Sequence, residues 1–212
     1  MSEEFKYSTE EIVKQTKTVT KQEPKVFDLV DESSKILRQK MPEFDFQNPP
    51  VNANEFASAL VETCKKNKGL GLSANQCGFP YRIFVMGANE EYVAFINPKV
   101  VSSKGEAHMI EGCLSFPLLG LRITRPETIV VEYQDFLGAK HTIRLDGISA
   151  RCFLHELDHM DGIVYTDRAK PLALKSGQDK RQKTIRNISK AQANYMNMMK
   201  KIEKQDNGKK TN

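Results

Sequence analysis

The sequence is short of long apolar runs: none of its 212 residues form the roughly 18-residue uncharged stretch that a membrane-spanning helix needs, which excludes an integral membrane protein of the helical type. The first residues, Met1 to Tyr7, carry acids and no apolar run, so no secretory signal is expected and the protein is expected in the cytoplasm. Cysteine is sparse. Cys64, Cys77, Cys113 and Cys152 show no close pairing and no Cys-x-x-Cys, which excludes a disulfide framework and predicts free thiols, with a metal ligand possible among them. There are no internal repeats. The glycine-bounded stretch Gly69–Gln76 lacks the Lys-Ser/Thr pair of a phosphate loop, which removes a nucleotide-binding reading of that kind.

Charge is present but unevenly spread. The formal net charge is +5, yet from Arg168 onward 13 Lys/Arg face three acids, a local +10 that leaves −5 for the first 167 residues. The expected organisation is an irregular N-terminal extension over 1–50, a catalytic domain over 51–168 and a basic C-terminal helix and tail over 169–212. Residues 1–24 are polar and expected to be loosely ordered. Residues 26–37 suit a short helix or an extended arm, and three prolines make 41–50 a loop. Asn52 or Asn54 is a suitable N-cap for a helix to about Asn67, ended by Gly69.

Alternating apolar residues then predict strands at 82–86, 92–97, 99–103, 106–111, 121–124, 128–133 and 140–145. Asp135–Gly138 joins the last two in a hairpin. A helix over 148–160 follows, closed by Asp161-Gly162, and 163–165 is expected to add a short strand. Residues 178–203, free of Pro and Gly, space Ile185, Ile188, Ala191, Tyr195, Met198 and Ile202 at helical intervals, with the last eight residues frayed. Strands in the middle and helices at the ends predict an α+β domain.

Histidine is rare too, and its distribution is informative. Two of the four histidines lie in His155-Glu-Leu-Asp-His159. Four residues apart on a helix, both imidazoles share one face and can share one metal ion, with Glu156 able to reach a water on it without ligating; the competing reading is a polar amphipathic helix that carries two histidines by accident. A third protein ligand is usual. Downstream of His159 there is no further His, and the one Glu is Glu203 in the basic tail, which argues against a metalloprotease arrangement and points upstream. Cys113, in Glu111-Gly-Cys-Leu-Ser115, is the best candidate, since a thiolate suits a late first-row metal; the competing reading is a buried small hydrophobe. Cys152, one turn before His155, is positioned to line the site without ligating. In the glycine-bounded loop, the Gln76 amide has the character of an oxyanion donor; the competing reading is that the glycines only let the chain pass close to another element.

Together, Gly69-Leu-Gly-Leu-Ser-Ala-Asn-Gln76, Glu111-Gly-Cys-Leu-Ser115 and His155-Glu-Leu-Asp-His159 resemble the three ordered motifs of peptide deformylase, over roughly residues 52–168. The resemblance implies antiparallel β-sheets surrounding a central metal-binding helix, with an N-terminal helix before and the long basic helix after. It implies Cys113, His155 and His159 as metal ligands and Glu156 as general acid/base. Gln76 and the Leu114 backbone N–H would be oxyanion donors, and Gly71 a backbone contact to substrate. Leu70, Met109, Ile148, Arg151 and Cys152 fall at positions matching the methionine pocket. The implied ion is Fe²⁺, with Ni²⁺, Co²⁺ or Zn²⁺ able to replace it, and the implied substrate is a formyl-methionyl nascent peptide. The basic helix fits ribosomal RNA, the alternative being that its Ile/Tyr/Met stripe packs on the body. Three residues depart from the family pattern: Ser73 stands for a usual alanine, Cys77 for an aliphatic residue and Arg151 for an apolar one. A metal-dead binding protein, or a nucleic-acid-binding module built on the basic tail, is the rival from another class, and the intact ligand pattern argues against it.

Overall fold

The structure, a computed structural model, describes residues 25–209, with the side chains of 201 and 203–209 left aside; the expectation for residues 1–24 lies outside them. Residues 25–50 form an extended arm with a single 3-10 turn, Lys35–Arg38. The arm is tied to the body by Phe27 N–H to Thr63 Oγ1 (2.9 Å), Val30 N–H to the Gln76 carbonyl (2.8 Å) and Met41 N–H to the Met160 carbonyl (2.8 Å).

Helix α1, Ala53–Lys66, starts where Asn52 Oδ1 accepts the Glu55 N–H, an N-cap that satisfies one of the free first-turn donors. Its end differs from the expectation. The left-handed residue is Lys68 (φ 56°), not Gly69. Lys68 N–H reaches the Lys65 carbonyl and Gly69 N–H the Cys64 carbonyl, the paired bonds of a Schellman close. Gly69 sits in a tight spot of another kind: a Cβ there would lie 2.8 Å from Leu114 Cδ1 and 3.2 Å from the Gly71 carbonyl, so Leu114 would have to shift.

Strands β1 (Gly71–Ser73), β2 (Ile83–Ala88), β3 (Glu91–Lys104), β6 (Thr128–Gln134) and β7 (Lys140–Asp146) form one antiparallel sheet in the order β1-β2-β3-β6-β7. β4 (Ala107–Cys113) and β5 (Phe116–Arg125) form a separate two-stranded ribbon. The two strands expected at 92–97 and 99–103 are one, β3, broken in register by bulges. Asn97 adopts φ 51° there, and its side chain bonds both the N–H (2.7 Å) and carbonyl (3.0 Å) of Phe44, so it splices the arm into the sheet where the backbone ladder slips.

Helix α2, Gly147–Met160, lies across the sheet. Its apolar face, Ala150, Phe153 and Met160, packs on Phe84, Phe95, Ile129, Val131 and Tyr133, while α1 buries Phe56, Leu60 and Cys64 against Leu72, Ile83, Val85 and Ile96. A third cluster joins β5 to the arm and to Tyr165. Gly162 (φ 71°) turns the chain after α2, and a Cβ on it would meet the arm's backbone at 2.8 Å.

The short strand expected at 163–165 is absent. Tyr165–Arg168 is instead one helical turn, α3, because Asp167 accepts the Val164 N–H and Tyr165 Oη donates to the Leu119 carbonyl (2.7 Å). Helix α4 spans Pro171–Lys209, 39 residues, starting before the expected 178 because Pro171 suits a first turn. Gly177 is tolerated where the helix presses on β5, since a Cβ would lie 2.4 Å from Leu121. The frayed end expected from 205 is helical to Lys209, and 210–212 lie outside the described residues. Packing of the apolar stripe on the body is not what is observed: Ile185, Ile188, Tyr195, Met198 and Ile202 are all exposed.

Candidate active site

Three elements meet at one point. α2 carries His155 and His159 one turn apart, their ring centroids 5.2 Å from each other. The ribbon brings Cys113, at the end of β4, where the register shifts between Glu111 and Cys113 and turns the thiol toward the helix. Cys113 Sγ lies 3.4 Å from His159 Nε2, and one donor atom from each of Cys113, His155 and His159 lies within 4.8 Å of the others. Among the described residues this is the one His/Cys/Asp/Glu group of that kind.

Buried polar side chains orient the cluster. Glu111 Oε2 lies 3.1 Å from His155 Nδ1, which leaves His155 Nε2 for the cluster. Burial pushes the Glu111 carboxyl up, but the bonds from His155 and Arg125 outweigh it and hold it down at about 2. Burial likewise draws His155 down, and its partners Cys113 and Glu111 raise it against that to about 10. His159 is pushed the other way by burial and by His155, well below the usual histidine value, so its nitrogens stay free of a second proton. Its Nδ1 is buried without a protein partner, and the Asn75 amide holds its carbonyl at 2.7 Å.

Glu156 points beside the cluster, toward β1. A Cβ on Gly71 would lie 2.6 Å from Glu156 Oε1 and 2.8 Å from Cys152 Sγ, so only glycine lets this edge strand approach the helix so closely. Burial raises the Glu156 carboxyl above its ordinary value, and Ser73 Oγ donates to Glu156 Oε2 at 2.6 Å. Gln76 is fixed at both ends of its amide. Oε1 accepts the Ser73 N–H (2.9 Å), so Nε2 must face the cluster, where it lies 3.3 Å from Cys113 Sγ and 3.2 Å from Ser115 Oγ.

The expected pocket residues divide. Leu70, Met109 and Ile148 are apolar yet 52%, 38% and 53% exposed, and Cys152 is half-buried with its thiol kept protonated by burial and by Glu156. Arg151 departs from the pocket expectation. It is 3% exposed, and its guanidinium is taken up by Glu111 and by the carbonyls of Ala107 and Ile123. Buried there, the cation needs that carboxylate, because losing either partner would leave an uncompensated interior charge. Asp158 pairs with Arg125 and Arg168. The sequence motifs gave no role to Glu111, Arg125 or Ser115. Glu111 was visible as the acid two residues before Cys113; nothing local marks Arg125.

A buried Cys–His–His cluster flanked by a buried carboxylate and an oriented amide, on an α+β frame, is the layout of a hydrolase. A family model described as Polypeptide deformylase matches residues 26–175. The chain is 37% identical over 145 residues to a peptide deformylase of Finegoldia magna, covering 67% of this chain and 88% of that one. It is 37% identical over 147 residues to one of Rhizobium meliloti, covering 66% and 80%. Among solved structures, a Plasmodium falciparum peptide deformylase superposes with a TM-score of 0.68 at 31% identity, covering 76% of this chain and 97% of that one. A Synechococcus elongatus peptide deformylase, in complex with actinonin, gives 0.68 at 29% identity over 74% and 88%. The chain belongs to the polypeptide deformylase family, enzymes that remove the N-formyl group from nascent peptides.

Proposed function

We propose that this protein is a metal-dependent hydrolase that releases formate from the formyl-methionyl end of new polypeptides. The observation that carries the reading is the convergence of Cys113, His155 and His159 donor atoms within 4.8 Å, with Glu156 and Gln76 alongside. A thiolate and two imidazoles suit a late first-row divalent ion, and the Glu111 carboxylate on His155 Nδ1 is the kind of partner that orients a ligating imidazole. When bound there, such an ion (Fe²⁺ in the family, with Ni²⁺, Co²⁺ or Zn²⁺ as substitutes) supplies the Lewis acidity that makes water a nucleophile near neutral pH.

Glu156, desolvated and aimed past Gly71, takes the proton of the attacking water and delivers it to the leaving amine. The Gln76 Nε2–H and the Leu114 backbone N–H meet the oxyanion as it develops on the formyl oxygen. β1 is the outer strand of its sheet, and its free edge, with Gly71 in it, pairs with the extended peptide backbone. Leu70, Met109, Ile148 and Cys152 receive the methionine side chain, which explains solvent-exposed apolar groups next to a buried polar centre.

The enzyme is tested by formate release from formyl-Met-Ala-Ser, beside an unblocked peptide, with metal content measured on the same sample. Formate release with one ion per chain and no cleavage of the unblocked peptide is expected; peptide-bond cleavage without formate release would overturn the reading.

The partner we assign to α4 is the ribosome. Beyond Arg181, which is anchored to Glu32, the described surface of this helix is exposed and rich in Lys and Arg, a charge pattern suited to phosphates. Salt-sensitive co-sedimentation with ribosomes, lost on removing residues 178–212, is expected; retention without them would assign the contact elsewhere. Among the described residues no helix is long and apolar enough to cross a membrane, and we place the enzyme in the cytoplasm with its substrate.

A further inference from the structure

The three proposed ligands are divided between two bodies. Cys113 sits on the β4–β5 ribbon, which shares no ladder with the five-stranded sheet, and both histidines sit on α2. A two-stranded ribbon is marginal by itself, so the spacing between thiol and imidazoles depends on what pins ribbon to helix. Two guanidiniums span the gap in opposite directions. Arg125, from the ribbon, bonds Glu111 through Nε (2.7 Å) and Nη2 (2.9 Å), and reaches α2 at Asp158 Oδ2 (2.8 Å). Arg151, from α2, reaches back. Its Nη2 donates to the Ala107 carbonyl on β4 (2.7 Å), while its Nη1 donates to the Ile123 carbonyl on β5 (3.1 Å) and to Glu111 Oε1. Glu111 is therefore gripped from both sides while its other oxygen holds the His155 ring.

We propose that Arg151 is a positioning residue for the metal site: it fixes both strands of the ribbon and the Glu111–His155 pair against α2, and so sets how firmly the ion is retained. It does not select the substrate side chain. Three features carry this. The guanidinium is 3% exposed, so it offers no surface to a methionine. It uses the forked geometry that only arginine has, one group binding a carboxylate and two carbonyls at once. Its contacts lead to Cys113 through β4 and to His155 through Glu111. This rests on the metal reading above, and the test separates the two.

The wild-type protein and Arg151→Met are loaded with Co²⁺, and three things are followed: the thiolate-to-cobalt absorption band, the rate of Co²⁺ release to a chelator well below the melting temperature, and kcat and KM on formyl-Met and formyl-norleucine peptides. The expected result is an altered band and release faster by about 10- to 100-fold, the usual cost of removing a group that orients a ligand, with the preference between the two peptides unchanged. Arg151→Lys keeps the charge but not the fork, and should recover part of the loss. If Arg151→Met does not fold, Arg151→Lys is read alone against the wild type, with faster release expected. Wild-type release and an unaltered band in a folded variant would overturn the proposal even if the melting temperature fell, as would a changed peptide preference with normal retention. Failure of the wild type itself to bind Co²⁺ would overturn the metal reading, and this inference with it.

Discussion

Helices α2 and α4 have similar signatures in sequence and opposite fates in the structure. Both space apolar residues at helical intervals. α2 is 14 residues long and buries eight of them: apolar Ala150, Phe153 and Met160, and charged or polar Arg151, His155, Glu156, Asp158 and His159. α4 is 39 residues long, yet among its residues of described burial only Gly177 is buried, and its Ile and Tyr side chains face solvent. Periodicity reports that a helix has two faces. Whether a face is covered depends on what the rest of the chain brings against it, and here a sheet and a ribbon both converge on α2.

That contrast predicts large effects along α2 and small ones along α4. The largest is for Glu156→Gln, which should lower kcat on formyl-Met-Ala-Ser by on the order of 10²- to 10⁴-fold, the range for a lost general acid/base, with metal content unchanged. Retained activity would move the proton transfer to another group. Three residues before Glu156 on the same helix, Phe153→Ala should cost about 3–5 kcal/mol in urea unfolding, the usual price of emptying a phenylalanine site, because Phe153 is fully buried among Phe84, Phe95 and Ile129. Gln76→Ala should lower kcat by on the order of 10²- to 10³-fold, as for a lost oxyanion donor. Ser73→Ala removes one bond to Glu156 and should cost about 0.5–1.5 kcal/mol in stability, the range for one net hydrogen bond, far less than the Phe153 change. At the other extreme, Ile188→Ala on α4 should stay within about 0.5 kcal/mol, as exposed substitutions do. A larger loss would mean that the exposed stripe is covered in solution.

The sequence was legible where the controlling interaction is local. The β6–β7 hairpin follows from Asp135, whose Oδ1 accepts the Leu137 and Ala139 N–H groups, and from Gly138 at φ 82°. The α1 cap is likewise set within three residues by Asn52. Elsewhere the deciding partner is distant. Asn97 holds β3 together across its bulges through Phe44, 53 residues away, so two short strands were the natural reading. Arg151 stands at a pocket position along the helix, and the carboxylate that claims it is 40 residues upstream. At the site the motifs pick out the proposed ligands, Glu156 and Gln76, since each chemistry has a residue type. The groups that hold them, Arg125 above all, have no such signature. The common role of glycine points to Gly69 as the helix end, whereas its neighbour Lys68 makes the turn and Gly69 packs close under Leu114.

Cys113 and His159 are 46 residues apart in sequence and on separate bodies. An ion shared by them would act as a removable cross-link between ribbon and helix. Any ligand that binds only the folded chain raises stability by mass action, about 4 kcal/mol at a thousandfold excess over its dissociation constant. Chelation should therefore loosen the molecule from the ribbon inward, with amide exchange rising first in β4 and β5 while the five-stranded sheet remains protected.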